Sequence, residues 1–292
     1  MSILVDADTR VLVQGMTGRS GTFYTDLAMR YGTDVVAGVR PGKGGTRHLG
    51  LPVYDSTAEA AKETGSNASL VLVPAHHAAD AMIDAIEDGL GVIVCVTERV
   101  PQHDMTRVKA ALARSDGVLI GPNSQGILTP DACKIGVMPT RDARPGPVGI
   151  ASRSASLTSE ILAQLSAADI GQSTTVGVGG DAIHGIGLTG CLERFRDDDQ
   201  TEAVVLVGEI GGREEEDVAA YLSSIDYGKP VVALVVGREA PKERRMGHAG
   251  TLSIFGSETA EQKVELLRNA GVIIARNADD VVPCVANALD AG

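Results

Sequence analysis

The chain has 292 residues, enough for about two domains, with 43% hydrophobic and 22% charged residues and a net charge of −12. That acidity excludes a general nucleic-acid binder, whose affinity rests on basic phosphate contacts, while leaving room for a local basic pocket. No apolar run reaches the roughly 18–20 residues of a membrane span. The N-terminal Met1–Asp6 carries neither a basic stretch nor a long apolar one, so a soluble, cytoplasmic protein with no membrane partner is expected.

Aromatic residues make up 3% of the chain, Trp is absent and there are 35 Gly. A core of Ala, Val, Ile and Leu with glycine-rich turns fits α/β architecture. In chain order, β-branched runs at Val11–Gln14, Val35–Val39, Ser69–Pro74, Gly91–Val96 and Val118–Gly121 predict strands, with helical spacing at Ala78–Asp88 and Gln102–Arg114 between them. A second series follows at Val148–Ala151, Thr174–Val178, Ala203–Val207, Val231–Val236 and Val272–Ala275, alternating with helical patterns at Leu157–Ala168, Glu214–Ser224, Ala260–Asn269 and Asp279–Leu289. Continuous apolar strands alternating with helices mean parallel sheets covered on both faces. The fold class is α/β, two doubly wound domains joined near the Gly- and Pro-rich segment Pro122–Pro147. The division is placed at residues 1–125 and 126–292. Strand order is not legible.

The first βα turn reads Val13-Gln14-Gly15-Met16-Thr17-Gly18-Arg19-Ser20-Gly21. Glycines after a first strand let a phosphate approach the backbone, and the following helix offers unpaired N–H groups and a positive dipole end. The spacing is Gly-x-x-Gly-x-x-Gly, and no carboxylate ends the second strand, where Arg40-Pro41-Gly42-Lys43-Gly44-Gly45 stands instead. This disfavours an NAD(P) oxidoreductase and suits a nucleotide without nicotinamide, such as CoA; a merely tight turn is the other reading.

In the second half, Ser152-Arg153-Ser154-Ala155-Ser156 lies between a strand and a helix. Ser154 or Ser156 caps the helix, and the segment is either an ordinary cap or an anion site. After strand Val231–Val236 comes Ala240-Pro241-Lys242-Glu243-Arg244-Arg245-Met246-Gly247-His248-Ala249-Gly250. Ligands of α/β proteins bind at such strand ends. Gly247 and Gly250 bracket His248, and Lys242, Arg244 and Arg245 supply positive charge, so His248 is a candidate nucleophile or phosphate contact. A nucleophilic histidine needs one ring nitrogen neutral and the other held by an acceptor. The candidate acceptor is Glu209 in Gly208-Glu209-Ile210-Gly211-Gly212, an acidic residue ending a buried strand.

The other histidines, His48, His76, His77 and His103, lack metal-ligand spacing, so no metal site is expected. His184 either lines a pocket or is a loop residue. The acidic runs Asp197–Asp199 and Glu214–Asp217 read as solvated surface. Cys95, Cys133, Cys191 and Cys284 contain no CxxC pair and are expected as thiols of a reducing compartment.

Taken in order, Met1–Leu4, Pro41–Gly45, His48–Val53, Gly121-Pro122-Asn123, Ser152–Ser154, Gly171–Thr174, Gly208–Gly212 and Arg245–Gly250 resemble the α subunit of succinyl-CoA synthetases (succinate–CoA ligases, ADP- or GDP-forming) over almost the whole chain. The resemblance implies an N-terminal Rossmann-like domain that binds CoA and a flavodoxin-like domain carrying a phosphohistidine. It further implies a separate ATP-grasp β subunit, in an αβ or α2β2 assembly, holding ATP or GTP with Mg. By motif it makes His248 the phosphorylated residue and Glu209 its partner. CoA falls to Thr17, Gly18, Arg19, Ser20, Lys43, Val96, Thr97 and Glu98, and the phosphoryl group to Ser154, Ala155 and Ser156. The implied chemistry passes phosphoryl from NTP through His248 to a small, dicarboxylic acid whose acyl phosphate is captured by the CoA thiol.

The sequence departs from that family near the expected acid site. Ser124-Gln125 replace Cys-Pro beside Asn123, Ala155 replaces Gly and Ser159 replaces Tyr. Ala182 and His184 stand in a loop that usually bears proline, and Thr251–Phe255 replace a glycine-rich run. A roomier, more polar pocket for a hydroxylated, longer or sulfonated acid is expected, malate among them. A non-catalytic CoA-binding regulatory homologue is the remaining alternative.

Overall fold

A computed structural model describes residues 2–237, 248 and 259–291. The chain divides into two compact units, one of Leu4–Met138 with Ile183–Gly185, the other of Met1–Ile3, Pro139–Ala182 and Ile186–Gly292.

The N-terminal unit runs β1 (Arg10–Gln14), α1 (Arg19–Tyr31), β2 (Asp34–Val39), β3 (Arg47–His48), β4 (Leu51–Tyr54), α2 (Thr57–Thr64), β5 (Ala68–Val71), α3 (Ala75–Glu87), β6 (Val92–Cys95), α4 (Gln102–Leu112), β7 (Val118–Ile120), β8 (Gly126–Thr129) and β9 (Cys133–Gly136). Its seven-stranded sheet has the order β3-β4-β2-β1-β5-β6-β7. All neighbours pair parallel except β3 with β4. Leaving aside the short β3, this is the Rossmann order, in which succession reverses between the first and fourth strands and opens a crevice at their C-terminal ends. Every residue of β5 and β6 is buried, which is why those strands read as unbroken apolar runs.

The sequence puts the domain division after Gln125, whereas the units part after Met138. The difference is the β8–β9 hairpin, paired antiparallel. Buried hydrogen bonds tie it to the N-terminal unit: Thr33 Oγ1 donates to Lys134 O at 3.0 Å and accepts from Lys134 N at 2.9 Å, and Thr129 Oγ1 donates to Val5 O at 3.0 Å.

The C-terminal unit runs β10 (Pro145–Ser152), α5 (Ala155–Ala167), β11 (Gln172–Gly177), α6 (Leu188–Arg196), β12 (Ala203–Glu209), α7 (Glu214–Ser224), β13 (Val231–Val236), α8 (Ala260–Asn269), β14 (Ile273–Ile274) and α9 (Val281–Asp290). Its strands lie in the order β14-β13-β12-β10-β11 and pair parallel. This is the flavodoxin-like arrangement, with its switch point between the first strand, β10, and the third, β12. A core of Val148, Ile150, Ile161, Val205, Val207 and Val232 fills one face.

The run Asp197–Asp199 is not uniformly solvated as expected. Asp198 is buried and accepts from Thr201 Oγ1 at 2.7 Å. The four cysteines form no disulfide, and burial pushes the thiols of Cys133 and Cys191 up to about 12. No described helix is long and apolar enough to cross a membrane. No group of three or more His, Cys, Asp or Glu among the described residues is arranged to hold a metal ion.

Candidate functional site

Each switch point carries a constellation that the sequence singled out. In the N-terminal unit, β1 ends at Gln14 and β5 at Val71. A cavity of about 640 Å³ opens beyond them, lined by Gly15, Thr17, Gly18, Arg40, His77 and Asp80 among others. Gly15 has φ 86, and a Cβ there would sit 2.7 Å from Leu72 O, so the turn closes onto the neighbouring strand only with glycine. Gly18 N donates back to Gly15 O at 3.0 Å. Gly18 also caps α1 without a side-chain hydrogen bond, leaving the first-turn amides to be met by water or an anion. Arg40 Nη1 donates to Thr17 Oγ1 at 2.7 Å, bringing a guanidinium to the same rim.

Of the expected CoA residues, Thr17 and Gly18 line this cavity. Arg19 and Ser20 form the exposed opening of α1, and Lys43 lies in the loop after β2, its N–H donating to Asp55 Oδ1 at 3.0 Å. Val96, Thr97 and Glu98 follow β6, where Thr97 Oγ1 donates to Val73 O at 2.7 Å; none of the three lines the cavity. His77, Asp80 and Asp84 do line it. The sequence marks none of them as a ligand contact: His77 lacks metal-ligand spacing, and Asp80 and Asp84 are ordinary polar positions of a helix face. Burial and the neighbouring carboxylate of Asp88 hold the Asp84 carboxyl above its usual 3.8. The second strand ends at Val39 and leads into Arg40 with no carboxylate between them, while the α1 start without a side-chain cap, the glycine turn and Arg40 fit a phosphate-bearing ligand such as CoA.

Asn123, Ser124 and Gln125 follow β7 in the same unit. Asn123 takes a positive φ of 54. Ser124 Oγ accepts from Gly126 N at 2.8 Å. Gln125 is buried, and its Nε2 meets no acceptor among the described residues. His184 lies in the loop segment of this unit, its carbonyl accepting from Lys109 Nζ at 3.1 Å, and it does not line the cavity.

In the C-terminal unit, β10 delivers Ser152-Arg153-Ser154 and β12 delivers Glu209 to the ends of adjacent strands. The imidazole of His248 reaches Glu209, with Nδ1 3.0 Å from Oε2 and 3.2 Å from Oε1. It packs on Gly180, where a Cβ would come within 2.6 Å of the ring; only glycine admits the side chain here. Acceptance by Glu209 holds the His248 pKa above 6.5, reinforced by the negative charges of Glu209 and Asp181 and opposed by burial and by Arg153. With a carboxylate on Nδ1, the neutral ring keeps its proton there, which makes Nε2 the nitrogen with the lone pair.

Glu209 is itself held from beneath. Arg153, 4% exposed, places Nη2 3.2 Å from Glu209 Oε1 and Nη1 3.2 Å from Glu215 Oε1. Glu215, 2% exposed, also accepts from the Glu209 N–H at 3.0 Å and pairs with the fully buried Lys263. The expectation that Glu214–Asp217 is solvated surface is therefore wrong for Glu215, and Glu214 caps α6, accepting from Leu188 N at 2.7 Å. Four charges of both signs sharing one buried site satisfy one another where single ones would not be tolerated. A signal was available: Glu215 precedes Val218, Ala219 and Leu222, and Lys263 stands with Ala260, Val264 and Leu267, each on the apolar face of its helix.

Ser154 caps α5, its Oγ accepting from Leu157 N at 3.4 Å, while Ala155 and Ser156 are exposed at the helix start. Ser159 Oγ donates back to Ala155 O at 3.2 Å. Lys242, Arg244, Arg245, Gly247, Gly250 and Thr251–Phe255 lie outside the described residues.

Residues 6–99 match the family model for a CoA binding domain and residues 151–273 that for a CoA-ligase. The succinate–CoA ligase [ADP-forming] subunit alpha 2 of Archaeoglobus fulgidus is 47% identical over 99% of this chain and 100% of its own length. The chain belongs to the succinate–CoA ligase α-subunit family. A second member, from Aquifex aeolicus, is 45% identical over 99% of this chain and 95% of its own. Against the family background, the ATP citrate lyase of Methanothrix soehngenii, solved with citrate and coenzyme A, shares the fold at TM-score 0.90 and 24% identity. This succinate–CoA ligase α-family chain covers 99% of its own length in that match and about half, 51%, of the lyase chain.

Proposed function

We propose that this chain is the α subunit of an NDP-forming acid–CoA ligase in which His248 carries the phosphoryl group between a nucleotide and a carboxylic acid. What supports this reading above all is the contact of Nδ1 of His248 with the buried, cation-held carboxylate of Glu209. A ring that donates from Nδ1 to this carboxylate carries its lone pair on Nε2, the nitrogen that acts as nucleophile in this reading.

Three transfers follow. Nε2 attacks the γ-phosphorus of a nucleoside triphosphate held by an ATP-grasp β subunit, the P–O bond to the diphosphate breaks and NDP leaves. A carboxylate oxygen of the acid then takes the phosphoryl from Nε2, returning a neutral imidazole and forming an acyl phosphate. The thiol of CoA, anchored through its phosphates at Thr17, Gly18 and the start of α1, displaces phosphate from that carbonyl. Glu209 stabilises the ring while Nε2 carries phosphoryl. The amides of Ala155 and Ser156, opening α5, offer a resting place for the transferred group.

The named relatives point to succinate as the acid. A different acid is a second reading, favoured by Ser124-Gln125 and by the buried Gln125 amide nitrogen without an acceptor among the described residues. Turnover with succinate, malate, itaconate and sulfonated acids separates the two. The central test is phosphoryl uptake: with its β partner, Mg²⁺ and NTP, the chain gains one acid-labile phosphoryl group, and His248→Ala gains none. Uptake by His248→Ala, or normal turnover of that variant, would falsify the proposal.

A further inference from the structure

The turn that carries Glu209 is clamped by two buried cations. Gly211 and Gly212 have φ 78 and 67. The carbonyls of Glu209 and Gly211 both meet Lys263 Nζ, at 3.1 and 2.7 Å, and Arg153 Nη1, at 3.4 and 3.1 Å. Lys263 has no exposed surface and adds the carboxylate of Glu215 and, at 3.7 Å, that of Glu216. It rises from the first turns of α8, the helix at which the described chain resumes after His248. The helix start is fixed by Thr259, whose Oγ1 accepts from Gln262 N in a capping box. One ammonium thus joins the helix that follows the histidine to the turn that presents the carboxylate.

Arg153 already neutralises Glu209 and Glu215 through their carboxylates. Lys263 makes no contact with the Glu209 carboxylate; its bonds are to backbone carbonyls and to Glu215 and Glu216. Its influence on the imidazole is therefore geometric. With the turn held, the Oε atoms of Glu209 stay within hydrogen-bond reach of Nδ1; with it loose, the pair separates by fractions of an ångström. A misplacement of about 1 Å costs on the order of a hundredfold in rate.

We propose that Lys263 is a positioning residue for the His248–Glu209 pair, fixing the Glu209–Gly212 turn so that the carboxylate holds Nδ1. This rests on the phosphohistidine reading given above. Among the described residues, Glu209, Arg153 and Asp181 act on the charge of the imidazole, and Glu215 and Glu216 face Lys263. Neutralising Lys263 and Glu215 together removes one charge of each sign and leaves those facing the ring in place.

The experiment uses the full chain with its β partner and measures phosphohistidine formation from Mg-NTP across pH, with CoA binding as the check on folding. Three variants are compared: Lys263→Met, Lys263→Met/Glu215→Gln, and Lys263→Arg. The double variant keeps the proposal testable should the single one fail to fold, because a buried ion pair can be replaced by neutral groups without loss of structure. The expected result is formation slowed by about tenfold or more, a pH midpoint moved down toward that of an ordinary histidine, and partial recovery in Lys263→Arg. A double variant that binds CoA and forms phosphohistidine within about twofold of the parent rate overturns the proposal; at RT ln 2 the difference is well under 1 kcal/mol. So does a slowed variant whose midpoint does not move, since that is loss of stability alone. If the parent protein takes up no phosphoryl group at His248, the functional reading fails instead, and the two failures are distinct.

Discussion

In the proposed reading the two switch points meet the same problem, handling phosphate at a strand end, with different materials. At the N-terminal unit's cavity the chain presents backbone: a glycine turn, an α1 start capped by Gly18 without a side-chain bond, and Arg40 at the rim. At the C-terminal unit's site it presents side chains, His248 on Glu209, with Arg153, Glu215 and Lys263 buried beneath. A ligand that only has to be held is served by fixed amides. A group that must itself become a nucleophile needs its protonation set, and this takes charges in a poorly solvated place. The first site should therefore break when atoms are added to the backbone, and the second when a charge is removed.

The largest expected effect is at Glu209. Replacing it with Gln removes the acceptor charge while nearly preserving shape, and phosphohistidine formation should fall about 100-fold or more. The sign of the pH effect follows from the raised pKa of His248. Nucleophilic Nε2 requires the neutral ring, so uptake in the parent rises with pH through a midpoint above 6.5. Without Glu209 the midpoint moves down. The stability linkage runs the other way: a raised folded pKa contributes stability that is complete below the unfolded pKa and is lost as pH rises through the folded one. Quench-flow phosphorylation at several pH values reads the first, and thermal unfolding across the same range the second. An unchanged midpoint in Glu209→Gln would break the comparison at its stronger end.

Next in size is Gly15→Ala. The added Cβ would lie 2.7 Å from Leu72 O on a backbone at φ 86. Strain of about 1–3 kcal/mol is expected at such a position, read as CoA affinity weakened by roughly tenfold or more in calorimetry. Phosphohistidine formation should be untouched. Loss of both functions together would mean that the two sites do not fail by separate rules.

The same contrast explains what was legible in the sequence. Strands buried on both faces announce themselves as apolar runs, so Val231–Val236 and the alternation around it could be read directly. Glycine turns and a histidine between glycines stand out by residue type, which is why the sequence singles out Gly15, Thr17, Gly18, Glu209 and His248 as candidates. The hairpin of β8 and β9 was hidden because its Gly, Thr and Cys residues carry no alternation, and its attachment depends on Thr33, about a hundred positions away. Glu215 was misread because a charge within an acidic run is usually solvated. Its helical phase with Val218 and Leu222 contradicts that reading, but the partners that make burial tolerable, Arg153 and Lys263, lie 62 and 48 residues distant. Buried ion networks are non-local, and sequence spacing does not display them.

The smallest effect should be at Ser154, and it is the sharpest discriminator. Its hydroxyl caps α5 through a long bond of 3.4 Å to Leu157 N, so Ser154→Ala should cost about 0.5–1 kcal/mol, the low end for an N-cap. In a unit of this size that is a melting temperature lower by about 1–4 °C. If the C-terminal site works through charge, the variant should still form phosphohistidine at close to the parent rate. If phosphoryl instead depends on the opening of α5, in the way proposed for CoA at the opening of α1, uptake should fall far more than stability does. The phosphorylated state should then hydrolyse faster, because the helix end no longer holds the group in place. Rate and melting temperature on the same preparation separate these outcomes, since a cap that serves only the helix moves the second and leaves the first.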